Sequence, residues 1–265
     1  MHLGINWTSA ASENVIRNLL ENGDADFCEL LLDNFIHLKP SSVREALGDV
    51  PVSFHIMRSR FLERDKDNLL QIAKRIRLWI DQLNPIYISD HLAQFTIDGR
   101  TLPLLAELNY DTCYPDVRDR VLFWQDILHS TILFENFPST LDTDGRQVDF
   151  YTNLLEETSC GLLFDISNSV IAELNCDAKT AQWLPLVSNN HNFHIAGYRT
   201  TDGTPQLAID THDVPVSEKS FSFSKEVLLS SHTDDFQKTL VLERDANINY
   251  NSWADDLHKL RTIHG

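Results

Sequence analysis

Short unbroken apolar runs alternate along the chain with longer stretches in which apolar side chains return every three or four positions. The first pattern predicts buried strands and the second predicts helices that lie on them by one face. Leu3–Asn6 reads as strand one, and Glu13–Glu21 as a helix capped by Ser12 and closed by Asn22-Gly23. Phe27–Leu32 is strand two, followed by Asp33-Asn34-Phe35 and a short helix near Ser41–Leu47; Val52–His55 is strand three. In Arg64–Leu83 the residues Leu69, Leu70, Ile72, Ala73, Ile76 and Ile80 share a face, with Lys74, Arg75 and Arg77 on another; Asn84-Pro85 stops it. Ile86–His91 is strand four. Leu92–Tyr114 reads as a long irregular piece with Asp98-Gly99-Arg100 inside it, and Val117–His129 as a helix. A strand ending on Glu135 follows, then a helix over Phe150–Thr158, a strand over Gly161–Asp165 and a helix near Ala178–Trp183. Asn192–Ala196 is strand seven, Gly197–Val216 a second irregular insertion, and a weaker helix falls within Ser220–Ser231. Thr239–Arg244 and a helix over Ser252–Ile263 complete the series.

Eight strand–helix repeats predict a (β/α)8 TIM barrel, with one domain spanning residues 1–265. A doubly wound open sheet is the competing architecture. The barrel is preferred because of where the polar residues stand. Six strand-like runs end on His55, His91, Glu135, Asp165, His194 and Glu243, and only a barrel brings all carboxyl-terminal strand ends around one site.

Any one of these groups, alone, reads equally as a core histidine or a buried salt bridge. Six in one mouth read differently, since clustered carboxylates repel one another without a cation. Imidazole and carboxylate donors without thiolate suit iron, manganese or catalytic zinc, and their number implies at least two ions. The second insertion adds Asp210-Thr211-His212-Asp213 beside the mouth. Asn168 reads either as an amide ligand or as a turn residue. Glu29 and Asn34 are further candidates, Glu29 as a ligand or as a partner of another mouth residue. Arg58, Arg60, Arg199 and Arg244 follow strand ends, placed either to orient an anion or peptide carboxylate or to balance an acidic rim.

The 265 residues carry 42% apolar and 23% charged residues, ordinary for a globular chain. A formal charge of −17 argues against a nucleic-acid partner, and no apolar run is long enough to span a membrane. Cys28, Cys113, Cys160 and Cys176 form no short-spaced pair, and no signal peptide is read at Met1–Trp7. Free thiols and a cytoplasmic location are the expectation.

Several segments taken together carry a resemblance: Phe54-His55-Ile56-Met57, Leu62-Glu63-Arg64-Asp65, Ser89-Asp90-His91, Glu135-Asn136-Phe137-Pro138-Ser139, Leu163-Phe164-Asp165-Ile166-Ser167-Asn168, Phe193-His194-Ile195-Ala196-Gly197-Tyr198, Asp210-Thr211-His212-Asp213 and Glu243-Arg244-Asp245. They resemble the multinuclear non-haem iron oxidase family, to which iron-dependent oxidases of methanobactin biosynthesis belong, in order from Gly4-Ile5-Asn6 to the last helix. The resemblance implies a TIM barrel holding two or three irons of mixed Fe(II)/Fe(III) state. It also implies a smaller partner subunit in a heterodimer and a precursor peptide with a leader. The implied reaction is a dioxygen-dependent, four-electron oxidation of peptide cysteine to oxazolone and thioamide. Its iron-site pattern falls on His55, His91, Glu135, Asp165, Asn168, His194, Asp210, His212 and Glu243, of which His194, Asp210 and Glu243 are expected to act directly in the reaction. A divalent-metal hydrolase or a sugar isomerase on the same barrel is the alternative.

Overall fold

In the computed structural model, which describes residues 1–140, 146–232 and 238–264, eight parallel strands close into a barrel. They are β1 (His2–Trp7), β2 (Phe27–Leu31), β3 (Val52–Ile56) and β4 (Ile88–His91), then β7 (Leu133–Glu135), β8 (Gly161–Asp165), β9 (Asn192–Ala196) and β12 (Thr239–Glu243). Each pairs with the next in that order, and β12 returns to β1 through Ile5↔Leu242. The open-sheet alternative is thereby removed.

Strand alternation divides the apolar residues into two cores. Outward positions such as Leu3, Ile5, Leu30, Phe54, Phe164, Phe193 and Leu242 join the main core beneath the helices. Large rings fix that layer: Trp79 meets Phe54 edge-on at 6.3 Å, and Trp124 stacks on Phe61 at 6.0 Å while its Nε1 donates to Asp90. Inward positions Phe27, Leu163 and Val241 form a separate plug with Tyr87 and Leu133. Gly4 leaves room for that plug, because a Cβ there would stand 2.4 Å from the Phe27 ring. One step further along the strands the inward residues turn polar: Asn6, Glu29, His55, Ser89, Glu135, Asp165, His194 and Glu243 are all buried. Apolar floor and polar mouth are thus consecutive layers of one barrel.

Both insertions expected to be irregular contain hairpins. β5 (Gln94–Ile97) and β6 (Arg100–Ala106) pair antiparallel about Asp98-Gly99, whose φ values of 50° and 73° give the two positive-φ positions of a two-residue hairpin loop. β10 (Tyr198–Thr200) and β11 (Ala208–Asp210) form the second. Gly197 is needed just before it, since a Cβ there would lie 1.9 Å from the Val214 carbonyl oxygen. The helix after β8 also differs from expectation. It runs over Ile166–Cys176, with only a 3-10 turn at Thr180–Trp183. Its polar start, Ser167-Asn168-Ser169, hides a helix that the Asp165 side chain caps by accepting from the Asn168 amide at 2.6 Å. Ser12 does not cap its helix with its side chain; that hydroxyl donates to the Ser9 carbonyl instead.

A candidate dinuclear metal centre at the barrel mouth

The polar layer opens into a cavity of about 410 Å³, with Glu29, His55, His91, Glu135, Asn168, Asp210, His212 and Glu243 on its wall. Two donor sets stand there. His55, His91 and Glu135 bring ligand atoms within 4.8 Å of one another, as do Glu135, Asp165, His194 and Glu243. Glu135 belongs to both.

The first set is held in a ligating state by its surroundings. Ser89 Oγ donates to the Phe54 carbonyl at 3.2 Å, so at 2.8 Å it accepts from His55 Nδ1. His91 Nδ1 faces the Ile56 carbonyl at 3.2 Å, which can only accept. In both neutral rings the lone pair is therefore on Nε2, and both Nε2 atoms turn to Glu135 Oε2, at 3.4 and 3.2 Å. Burial, with the His91 charge added, pulls the His55 ring down to about 4. Burial opposes charge on His91 as well, but Glu135 beside it lifts that ring to about 9. A proton on His91 occupies the place a cation would take.

In the second set, His194 is sealed from solvent between Glu29 Oε1 at 2.9 Å from Nε2 and Glu243 Oε2 at 3.1 Å from Nδ1. These contacts are short but lack hydrogen-bond alignment, and Glu29 Oε1, Glu243 Oε2 and both ring nitrogens remain without hydrogen-bond partners. Asp165 spends Oδ1 on the helix cap and leaves Oδ2 unpartnered; Asn168 donates through Nδ2 to Glu135 Oε1 at 3.0 Å and leaves Oδ1 unpartnered. Buried acceptors without donors are costly, and here they converge. Burial first, then the charges of Glu135, Glu243 and Asp210, push the Asp165 carboxyl well above its ordinary range. Burial also raises Glu243. Orphaned oxygens, lone pairs turned inward and mutually repelling carboxylates all fit divalent or trivalent cations.

The expected residues sort as follows. His55, His91, Glu135, Asp165, His194 and Glu243 form the two sets, and Asn168 aims its free oxygen beside them. Asp210 and His212 meet at 2.7 Å on the open side, with His212 Nδ1 3.7 Å from Glu243, outside both sets but on the same cavity. Glu29 stands outside the sets and takes hydrogen bonds from Tyr87 at 2.7 Å and Ser53 at 3.3 Å, which fits the role of partner to His194. Asn34 stays on the rim, donating to the Thr8 carbonyl. Arg60 and Arg199 pair with Glu63 and Asp213, and Arg244 turns outward to Asp256 at 2.7 Å. The four cysteines are free, and none lines the cavity.

Sequence reasoning missed Ser89, Asn6 and Asp245. Ser89 and Asn6 sit at inward positions of their strands, a parity signal that was available. Asp245 accepts from Asn6 at 2.8 Å and approaches His212 Nδ1 at 3.2 Å, a role set by a turn beyond the strand.

Comparison with known proteins agrees with this picture. A UPF0276 protein of Caulobacter vibrioides is 32% identical over 176 residues, 63% of this chain and 62% of the relative, so the match spans under two thirds of that relative's length. A UPF0276 protein of Rhizorhabdus wittichii is 30% identical over 209 residues, 74% of this chain and 73% of the relative. Among solved structures, a xylose isomerase-like TIM barrel protein from Mycobacterium smegmatis in complex with magnesium shares the fold at a TM-score of 0.61 and 14% identity, over 96% of this chain and 88% of its own. Residues 2–264 match the model of the RiPP precursor modification enzymes MbnB/TglH/ChrH, and the chain belongs to that family.

Proposed function

We propose that this chain is a multinuclear non-haem iron oxidase that acts on cysteine in a ribosomally made precursor peptide. With dioxygen as oxidant it removes four electrons and four protons, giving an oxazolone and a thioamide as in methanobactin biosynthesis; the dioxygen leaves as two waters. A smaller partner subunit takes part in capturing the peptide. The observation that carries the reading is Glu135, one carboxylate common to two donor sets, which would let it help hold two neighbouring ions.

Redox-active ions held by His55, His91, Glu135, Asp165, His194 and Glu243 would carry electrons from the thiolate to dioxygen and depress the thiol pKa. The protein does the rest. Ser89 and the Ile56 carbonyl fix the imidazole tautomers, and the Glu29 carboxylate lies 2.9 Å from His194 Nε2. Leu105, Phe137, Pro138 and Ile171 add an apolar wall that limits water. Asp210, paired with His212 at the open side, is positioned to take up a proton released by the substrate.

The test is co-expression of the chain with a neighbour-encoded small protein and a cysteine-containing precursor peptide. Loss of four hydrogens from the peptide that requires both iron and air supports the reading. Anaerobic turnover with magnesium, manganese or zinc would assign the barrel to hydrolysis or isomerisation instead.

A further inference from the structure

Beside the mouth lies a second pocket of about 360 Å³, between the loop after β3 and the helix Lys66–Leu83. Its rim carries Arg58, Arg64, Arg75 and His37, and its floor includes Ile72 and Ile76. Among the described residues none of these three arginines forms an ion pair, although Arg17, Arg60, Arg118, Arg199 and Arg261 each meet a carboxylate. Such a concentration of unpaired guanidinium groups stands out in a chain of net charge −17. The one carboxylate in the pocket is engaged elsewhere: Asp33 accepts from the Met57 and Arg58 amides at 2.7 and 3.1 Å. Arg64 is anchored to the Ser59 carbonyl at 2.7 Å, while Arg58 and Arg75 are exposed and free to reach a ligand. The two cavities adjoin along the chain, for Leu31 and Met57 line the first and Leu32 and Arg58 line the second.

We propose that this arginine pocket binds acidic side chains of the peptide whose cysteine occupies the metal cavity. The inference rests on the peptide-substrate reading above. Guanidinium forks suit carboxylates in planar, paired hydrogen bonds, and the isoleucine floor accepts the aliphatic stem of a glutamate.

The experiment uses the metal-loaded protein and two fluorescein-labelled peptides, each with one cysteine. One peptide has a neighbouring Asp/Glu segment, and the other has Asn/Gln in its place. Fluorescence anisotropy should show the acidic peptide bound on the order of tenfold more tightly, a preference removed in the R58E/R75E double variant. Lys74→Glu, exposed on the same helix outside the pocket, should retain it. Should the double variant misfold, Arg75→Ala repeats the comparison at an exposed helical position. A preference that survives the double variant, or its absence in the unaltered protein, overturns the proposal. So does displacement of the acidic peptide by inorganic phosphate where sodium chloride of equal ionic strength has no effect, since the pocket then serves a small anion. Peptide mass, read in the same samples under air, reports separately on the oxidation, so either reading can fail alone.

Discussion

At the scale of single residues, the mouth is organised by what each donor's second atom is doing. Asp165 has one oxygen capping a helix and one unpartnered; His55 has one nitrogen on Ser89 and one turned to Glu135. Removing the hydroxyl in Ser89→Ala frees the His55 ring to change tautomer, and should weaken metal binding roughly 10-fold or more, measured by competition with a chelator, while circular dichroism stays unchanged. Glu135→Gln should empty both donor sets, whereas Asp165→Asn should leave the His55–His91–Glu135 set loaded; metal-to-protein ratios separate the two. Equal loss of metal in both variants would count against a shared carboxylate.

At the scale of elements, the two hairpins frame the mouth and each hangs on an identifiable contact. The Glu63 carboxylate accepts from the Phe95 and Thr96 amides, both at 2.8 Å, and from Arg60, binding the β5–β6 hairpin to the loop after β3. Partial burial works against its charge, but the Phe95 amide and the other donors hold its pKa below the ordinary value. Its contribution is therefore complete above the ordinary carboxylate range and disappears as pH falls through the lowered folded value. The protection factors of the Phe95 and Thr96 amides, corrected for the intrinsic pH dependence of exchange, should fall on acidification, and at neutral pH in Glu63→Gln. Gly197→Ala should cost about 1–3 kcal/mol in denaturant unfolding and displace Asp210 and His212, because the new methyl meets backbone. Much of this scale was hidden in the sequence. The barrel strands were legible because burial on both faces makes them continuous apolar runs, and their terminal ligands because each interrupts such a run. The β5–β6 hairpin had its signal in Asp98-Gly99, yet Pro103 and the exposure of Leu104 gave it no core-facing pattern. The Ile166–Cys176 helix was masked because its first turn is polar for the sake of the site, and Ser89 because a buried hydroxyl reveals no partner until the fold supplies one.

At the scale of the molecule, stability and cation loading are coupled. Without ions, Asp165 and Glu243 are raised above their ordinary range, chiefly by burial. The folded state then holds protons that the unfolded chain has released, so stability falls as pH rises through the window between ordinary and raised values. Cations that replace those protons reverse the penalty. The gain in Tm on adding ferrous iron under anaerobic conditions should therefore grow from mildly acidic toward neutral pH, as followed by differential scanning calorimetry. A gain that shrinks over that range would place the ions elsewhere.

The plug of Phe27, Tyr87, Leu133, Leu163 and Val241 closes the barrel directly beneath the ligand layer. Seen from outside, the chamber is a well and not a tunnel. A polymer cannot be threaded through it and must lower one side chain at a time while its backbone rests across the top. For the peptide substrate proposed above, only a residue in a locally unfolded stretch would make that descent, and it would have to leave before its neighbour could enter.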